Sequence, residues 1–340
     1  MKHFYRYFLF LYVIFYASDL NAQDIHHSQF YTSPLNVNPA LTGIFNGDNR
    51  FSVNYRRQWF VDDIVRYMTI TGSYDLRFYP KKWKTKGFWS GGILFNYDRA
   101  GDSKLGLAHL GVSASYTYPL KANHFLTFGG LVGISQRHFN PDELQWDSQW
   151  DGDIFDPSRI TQEDFTKTST NFFDFNAGIN YRWQKSKRTK LDFGISAYHL
   201  NQPKQSFFQQ TLSIKLPIRL NLCLTPSFQI TNLFDFVFYA QYQNQNPFQE
   251  IVFGGFGKFY LNQKRGKEFN VLLGIGTRLE DAIIPKIAIE WKNWYAGLSY
   301  DINTSGFKAF TNQQGGPEFS LIHILTKAHP LTVLKSCPIF

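Results

Sequence analysis

Phe172-Phe173-Asp174-Phe175-Asn176-Ala177-Gly178-Ile179-Asn180-Tyr181-Arg182-Trp183 changes character at every residue. Successive side chains of a β-strand point to opposite faces. Phe173, Phe175, Ala177, Ile179, Tyr181 and Trp183 therefore share one face, and Asp174, Asn176, Gly178, Asn180 and Arg182 share the other. Residues 67–79 repeat the pattern, with Met68, Ile70, Gly72, Tyr74, Leu76 and Phe78 on one face and Tyr67, Thr69, Thr71, Ser73, Asp75 and Arg77 on the other. One such segment would suit any half-buried strand. A whole chain of them, rich in aromatics, points to a barrel whose apolar face meets lipid.

The alternation recurs from Arg50 to Ile324. Strands are expected at 50–59, 67–79, 87–97, 105–118 and 124–139, then, after an acidic interruption at 140–170, at 171–183 and 190–199. Further candidates are 209–216, 218–230, 234–242, 249–260, 269–278, 284–291, 294–301 and 318–325, with Pro217 as a break and Lys292-Asn293 as a tight turn. Bacterial single-chain barrels close with an even number of strands, so the expected fold is an all-β transmembrane outer-membrane β-barrel of about 14 antiparallel strands. Many of these segments reach ten residues or more, where about five or six is usual in soluble sheets. That length suits a tilted membrane crossing and argues against a soluble β-sandwich or propeller. Trp59, Tyr79, Trp89, Tyr118, Trp183, Trp291 and Trp294 lie near strand ends, where interfacial aromatic girdles belong.

Composition agrees. Aromatic residues make up 18% of the 340 residues and charged residues also 18%. Mean hydropathy is nevertheless slightly negative. No apolar run after the N-terminus is long enough for a membrane helix, whereas a barrel needs only every second residue to be apolar. The formal net charge is +9, but Lys and Arg fall in short runs: Lys81, Lys82, Lys84 and Lys86; Lys185, Lys187, Arg188 and Lys190; Lys264, Arg265 and Lys267. Such runs read as hairpin tips rather than a nucleic-acid stripe. Two cysteines, Cys223 and Cys337, allow at most one bridge and lack metal-ligand spacing.

Four regions follow. Residues 1–22 read as a signal peptide: a basic start (Lys2, His3, Arg6), an apolar run from Phe8 to Ala17, and a cleavage point after Ala22. Residues 23–49 form an N-terminal extended segment, residues 50–325 the barrel with its long acidic loop 140–170, and residues 326–340 a C-terminal tail. Glycines within strands, such as Gly129, Gly130 and Gly133 or Gly254, Gly255 and Gly257, mark bends or close backbone approaches.

The stretch after the signal runs Gln23-Asp24-Ile25-His26-His27-Ser28-Gln29-Phe30-Tyr31, then Pro34, then Asn38-Pro39-Ala40-Leu41-Thr42-Gly43, with Arg50 to Trp59 and Ser73-Tyr74-Asp75 beyond it. Together with the closing Cys337-Pro338-Ile339-Phe340, it resembles the PorP/SprF family of type IX secretion system membrane proteins of the Bacteroidota. The resemblance implies a non-enzymatic outer-membrane barrel that supports secretion or gliding motility. Its implied partners are type IX secretion components and a secreted surface protein such as a large adhesin, besides outer-membrane lipid.

Residues 23–43 carry Pro34 and Pro39, which cannot donate in a sheet ladder. This segment is expected to be ordered and extended from a periplasmic mature N-terminus. From there it either enters the lumen as a partial plug or binds a periplasmic partner. Gln29, Phe30, Asn38 and Pro39 are its candidate contacts. The acidic loop contributes Trp146, Trp150 and Phe155, since aromatics in a long loop suit protein contacts. Its carboxylates lack EF-hand spacing and read first as a solvated loop, with calcium as the other reading. His26, His27, Ser28, His109 and His138 are the raw material for hydrolysis, but no Gly-x-Ser-x-Gly elbow or His-Glu-x-x-His helix accompanies them. No cofactor motif is present. A passive solute channel is the alternative function, because Asn54, Arg56, Asp75, Arg77, Asp174, Arg182, Lys286 and Glu290 fall on the polar face that would line a wet lumen.

Overall fold

The structure is a computed structural model that describes residues 24–59, 67–78, 87–142, 144–161, 163, 167–207, 214–306 and 308–326. The expected signal, the tail beyond 326, Tyr79, the lysines between 81 and 86, Glu143, Asp164 and Cys337 lie outside the described residues.

Fourteen strands form one closed antiparallel barrel. They are β1 (Asn49–Gln58), β2 (Tyr67–Phe78), β3 (Phe88–Ala100), β4 (Leu105–Lys121), β5 (His124–His138), β6 (Ser169–Gln184), β7 (Lys190–Tyr198), β8 (Arg219–Gln229), β9 (Phe234–Gln245), β10 (Phe248–Asn262), β11 (Phe269–Arg278), β12 (Ala282–Trp291), β13 (Trp294–Asn303) and β14 (Gln314–Leu325). Each strand pairs with its sequence neighbours, and β1 pairs β14 with Asn54 opposite Ser320. Closure leaves no ladder edge, as lipid requires, because hydrocarbon offers no hydrogen bonds to unpaired backbone.

The faces are those expected. On β6, Asp174, Asn176, Asn180 and Arg182 are buried inside, while Phe173, Phe175 and Ile179 are exposed to the lipid side. On β2, Thr69, Thr71, Ser73 and Asp75 are inside. Trp89, Tyr118, Trp291 and Trp294 stand exposed on the outside, gathered toward one end of the barrel. Of the fifteenth strand candidate, 209–216, residues 209–213 lie outside the described residues. Its described residues 214–216 lie in the β7–β8 connection, where Lys215 makes one isolated bridge to Lys204.

Connections alternate between two ends. At one end lie the tight turns 122–123, 230–233 and 292–293, and at the other the longest connection, 139–168. Barrels of this class place short turns in the periplasm and long loops outside the cell. The 139–168 end is therefore extracellular.

Residues 24–48 lie inside the barrel, and most of them are buried. Asp24 meets Gln245, His199 and Arg219 at the loop end, and the Asp48 N–H reaches the Leu325 carbonyl at the turn end. The segment thus starts at the extracellular end, opposite to the periplasmic start expected for it. The reason is connectivity: β1 begins at the turn end, so a lumenal segment that precedes it must run back from the other end. Nor is the segment extended. It coils through single helical turns at Phe30–Thr32, Pro34–Val37 and Pro39–Leu41. Fully extended, residues 24–48 would span about 80 Å, whereas the ten residues of β1 rise about 33 Å. The chain must fold on itself to stay within the lumen. Pro34 and Pro39 each open a helical turn, a position where a missing N–H costs nothing.

Candidate functional site

The polar wall of the barrel grips the lumenal segment at five levels. At the loop end, the Asp24 carboxylate lies 2.8 Å from Arg219 and 2.9 Å from His199 Nε2, and His199 Nδ1 lies 2.9 Å from Asp174.

Below it, the Glu318 carboxylate accepts the backbone N–H groups of Ser28 at 2.7 Å and Gln29 at 2.9 Å. Ser28 Oγ donates to Asp301, which also holds Arg56 at 2.9 Å and Arg278 at 3.1 Å. Lys286 Nζ donates to the Ser28 carbonyl at 2.6 Å. The Gln29 amide donates to Ser299 Oγ and the Glu318 carbonyl and accepts from Ser320 Oγ. Buried charges need paired and hydrogen-bonded partners, and this cluster supplies them reciprocally between wall and segment.

In the middle, Phe30 and Tyr31 pack against Tyr239, with ring centroids 5.7 Å and 4.9 Å away, and Tyr31 against Phe256 at 5.5 Å. Next, Asn38 Nδ2 donates to the Ile179 carbonyl of β6 at 3.0 Å, while its Oδ1 accepts the Ala40 N–H at 2.8 Å. Side-chain access to strand backbone requires a bare wall. A Cβ on Gly178 would sit 2.0 Å from Asn38 Oδ1, and a Cβ on Gly129 would sit 2.4 Å from the Ala40 nitrogen. At the turn end, Asp75 receives Arg50 through two bonds of 2.9 Å and 2.7 Å and the Gly43 N–H at 2.7 Å.

Gln29, Phe30, Asn38 and Pro39 were expected as partner contacts. All four are buried inside the barrel, and they contact its wall rather than any external surface. The wall residues Glu318, Asp301, Arg278, Glu250 and Arg219 were not singled out from sequence. The signal that could have found them is their charge at polar positions of otherwise apolar-alternating strands.

The loop-end rim is organised differently. The loop 139–168 is rooted by the Phe139 N–H on the Thr168 carbonyl and the Asn140 N–H on the Ser103 carbonyl. Buried Gln149 is its hub: its side chain accepts the Trp146 N–H and donates to the carbonyls of Pro157 and Arg159. A small hairpin pairs Trp150 with Phe155. Trp150 is 54% exposed, Ile154 64% and Ile160 84%, while Trp146 and Phe155 are half-buried. The loop thus pairs Trp150 with Phe155, ties Trp146 to Gln149, and leaves Trp150, Ile154 and Ile160 exposed.

Two of its carboxylates, Asp151 and Asp156, cap turns. Asp151 accepts the N–H groups of Ile154 and Asp153, which hold it below its ordinary pKa, and the Ser158 hydroxyl and N–H do the same for Asp156. Among the described residues, no group of three or more His, Cys, Asp or Glu side chains is placed to hold a metal.

Of the histidines considered for hydrolysis, His27 meets Thr71 Oγ1 at 3.0 Å and His109 meets Ser135 Oγ at 2.9 Å. The His109–Ser135 pair borders a cavity of only about 30 Å³. Cys223 is buried in the wall of β8.

Among solved structures, the chain is similar to the toluene transporter TbuX of Ralstonia pickettii, with 12% identity over 84% of this chain and 90% of that one and a TM-score of 0.50. It is also similar to the monoaromatic hydrocarbon channel CymD, with 8% identity over 88% and 94% of the two chains and a TM-score of 0.48. A Pseudomonas aeruginosa FadL homologue matches with 10% identity over 84% and 91% and a TM-score of 0.47. No curated protein matches the chain. The model of the family described as type IX secretion system membrane protein PorP/SprF matches residues 19–321. A closed fourteen-strand barrel with a lipid-facing apolar surface, matched over nearly its whole length by that model, belongs to the PorP/SprF family and resides in the bacterial outer membrane.

Proposed function

We propose that this barrel supports type IX secretion or gliding by holding a secreted surface protein, such as a large adhesin, at the outer membrane. The observation that carries this reading is the occupied lumen. Residues 24–48 run through it and are bonded to the wall from the loop end to the turn end, so the segment is a fixed part of the barrel. What remains for recognition is the extracellular rim, where the loop 139–168 offers Trp150, Ile154 and Ile160 to a partner. Exposed aromatic and aliphatic anchors on a self-folded loop are what a protein interface uses. The barrel anchors and binds; it carries out no chemistry of its own. Energy for export comes from other components, since the sequence has no phosphate-binding loop.

The solute-channel alternative rests on the polar strand face that would line a wet lumen, but residues 24–48 bond to that face at Glu318, Asp75 and Arg219. The test is a quantitative surface proteome of wild-type cells and of cells lacking this gene. Loss of one or a few large surface proteins, with other exported proteins unchanged, is the expected result. An unchanged surface proteome would overturn the attachment reading and leave the channel.

A further inference from the structure

Above the lumenal segment, at the extracellular end, lies a cavity of about 600 Å³. Asp24, Ile25 and His26 form its base. β3, β4 and β5 line one side and β10 and β11 face them across the lumen. Its size lies within the range of ligand sites.

Two ionic groups in this cavity are left incomplete. Glu250 on β10 is 8% exposed, and its Oε2 lies 3.0 Å from Arg278 Nε. Its Oε1 is buried and has no hydrogen-bond donor among the described residues. On the facing side, Arg137 Nε is buried with no acceptor among the described residues. Asp98 on β3 adds a second carboxylate, held by Thr69 Oγ1 at 2.5 Å. Trp59 and Tyr67, edge to face at 4.6 Å, and Phe248 supply apolar wall. A buried carboxylate oxygen without a donor carries an uncompensated desolvation penalty. A ligand that donates to it removes that penalty.

We propose that this cavity receives an extended peptide segment of the extracellular partner, with a basic side chain on Glu250 and a backbone carbonyl on Arg137. An aromatic or aliphatic neighbour in the same peptide packs on Trp59, Tyr67 and Phe248. A hydrocarbon would leave both ionic groups unmatched, whereas a peptide offers a cation and a line of carbonyls at once. Arg137 is the next-to-last residue of β5, just before the long loop leaves the wall, so one partner can occupy the cavity and the loop surface together. The inference rests on the attachment reading and names the chemistry of its contact.

The first experiment uses the purified full-length barrel in detergent micelles and a fluorescein-labelled peptide, Gly-Arg-Trp-Gly, read by fluorescence anisotropy. Its counterpart with citrulline in place of arginine is the neutral control. The arginine peptide should bind the wild type, and affinity should fall about thirtyfold or more with citrulline or with Glu250→Gln, the loss expected for a desolvated charge pair. Ala100→Trp, which fills the cavity from β3, should abolish binding. Absence of binding to the wild type, equal binding of the two peptides, or wild-type binding by Glu250→Gln would each overturn the proposal.

The second experiment expresses the Glu250→Gln and Ala100→Trp variants in cells at wild-type outer-membrane abundance, with heat-modifiable mobility confirming the folded barrel. Shedding of the surface protein in both variants and in the deletion strain is the expected result. Shedding in the deletion strain alone overturns the cavity and leaves attachment standing. No shedding in any strain overturns attachment itself and the cavity with it.

Discussion

Residues 24–48 and residues 139–168 are both long, polar and free of strand alternation, yet their polar groups are satisfied in opposite ways. The lumenal segment bonds outward to the wall: Ser28 and Gln29 to Glu318, Asn38 to β6, Gly43 to Asp75. The acidic loop bonds inward to itself: Gln149 to Trp146, Pro157 and Arg159, and Ser148 to Thr161. A segment tied to the wall by buried charges cannot move without exposing them, so it behaves as part of the barrel. A loop closed on itself can be altered without disturbing the wall, so it is free to serve recognition.

The sharpest way to break this comparison is to delete residues 24–45. If they fill the lumen, single-channel conductance should go from a closed baseline to a steady open-pore current, because a barrel of this strand number is wide enough for water once emptied. Unchanged conductance would mean that something other than this segment closes the barrel.

A smaller cut is Glu318→Ala. It removes the acceptor for two backbone N–H groups and a counter-charge near Arg56, which lies 3.9 Å from it. Breaking a buried pair on one side costs about 3–5 kcal/mol. Hydrogen exchange of the 24–32 amides should accelerate accordingly, while exchange in the loop 144–161 stays as in the wild type. Acceleration in both would erase the distinction between the two regions.

The loop-end latch adds a pH dependence of its own. Burial alone would lower His199, but the carboxylates of Asp24 and Asp174 outweigh it and push His199 up to about 9. Arg219 and His199, acting against the burial that would raise it, hold Asp24 well below the usual carboxylate range. Because the folded value of His199 exceeds its ordinary 6.5, its contribution is complete below pH 6.5 and fades as pH rises through about 9. Asp24 works the other way: its contribution is present above 3.8 and is lost as pH falls below that value. The 24–28 amides should therefore be best protected between those limits and lose on the order of 3 kcal/mol of protection toward pH 10. His199→Asn should flatten the alkaline limb. Persistence of that limb in the variant would assign it to another group.

What was legible in the sequence follows from the same physics. β2 and β6 could be read to the residue because lipid outside and a polar lumen inside impose opposite demands on alternate positions. That contrast also placed Asp75, Asp174, Arg182 and Lys286 on the inner face. Pairing could not be read, since Ser28 meets Glu318 across 290 positions of sequence and nothing local marks the match. The route of residues 24–48 was hidden because helical turns shorter than four or five residues leave no period to detect. The glycines carried a trace of it: Gly129 and Gly178 sit where the segment touches the wall, but in sequence they read only as bends or close approaches.

The smallest expected effect on stability, and the most direct on recognition, comes from the loop. Trp150 is more than half exposed, and its hairpin bridge to Phe155 uses backbone, not the indole. Trp150→Ala together with Ile154→Ala should change barrel stability by no more than about 0.5 kcal/mol, the usual limit for surface positions. Gln149→Ala, by contrast, strips the hub on which Trp146, Pro157 and Arg159 converge, and should loosen the whole loop. If the apolar surface is what the partner reads, the two variants should release it equally, although only the second disturbs loop exchange rates. If partner attachment follows the hub alone, the loop acts by its shape and the exposed side chains are incidental. A self-folded loop with apolar tips gives the first outcome, since its internal bonds leave Trp150, Ile154 and Ile160 no other surface to cover.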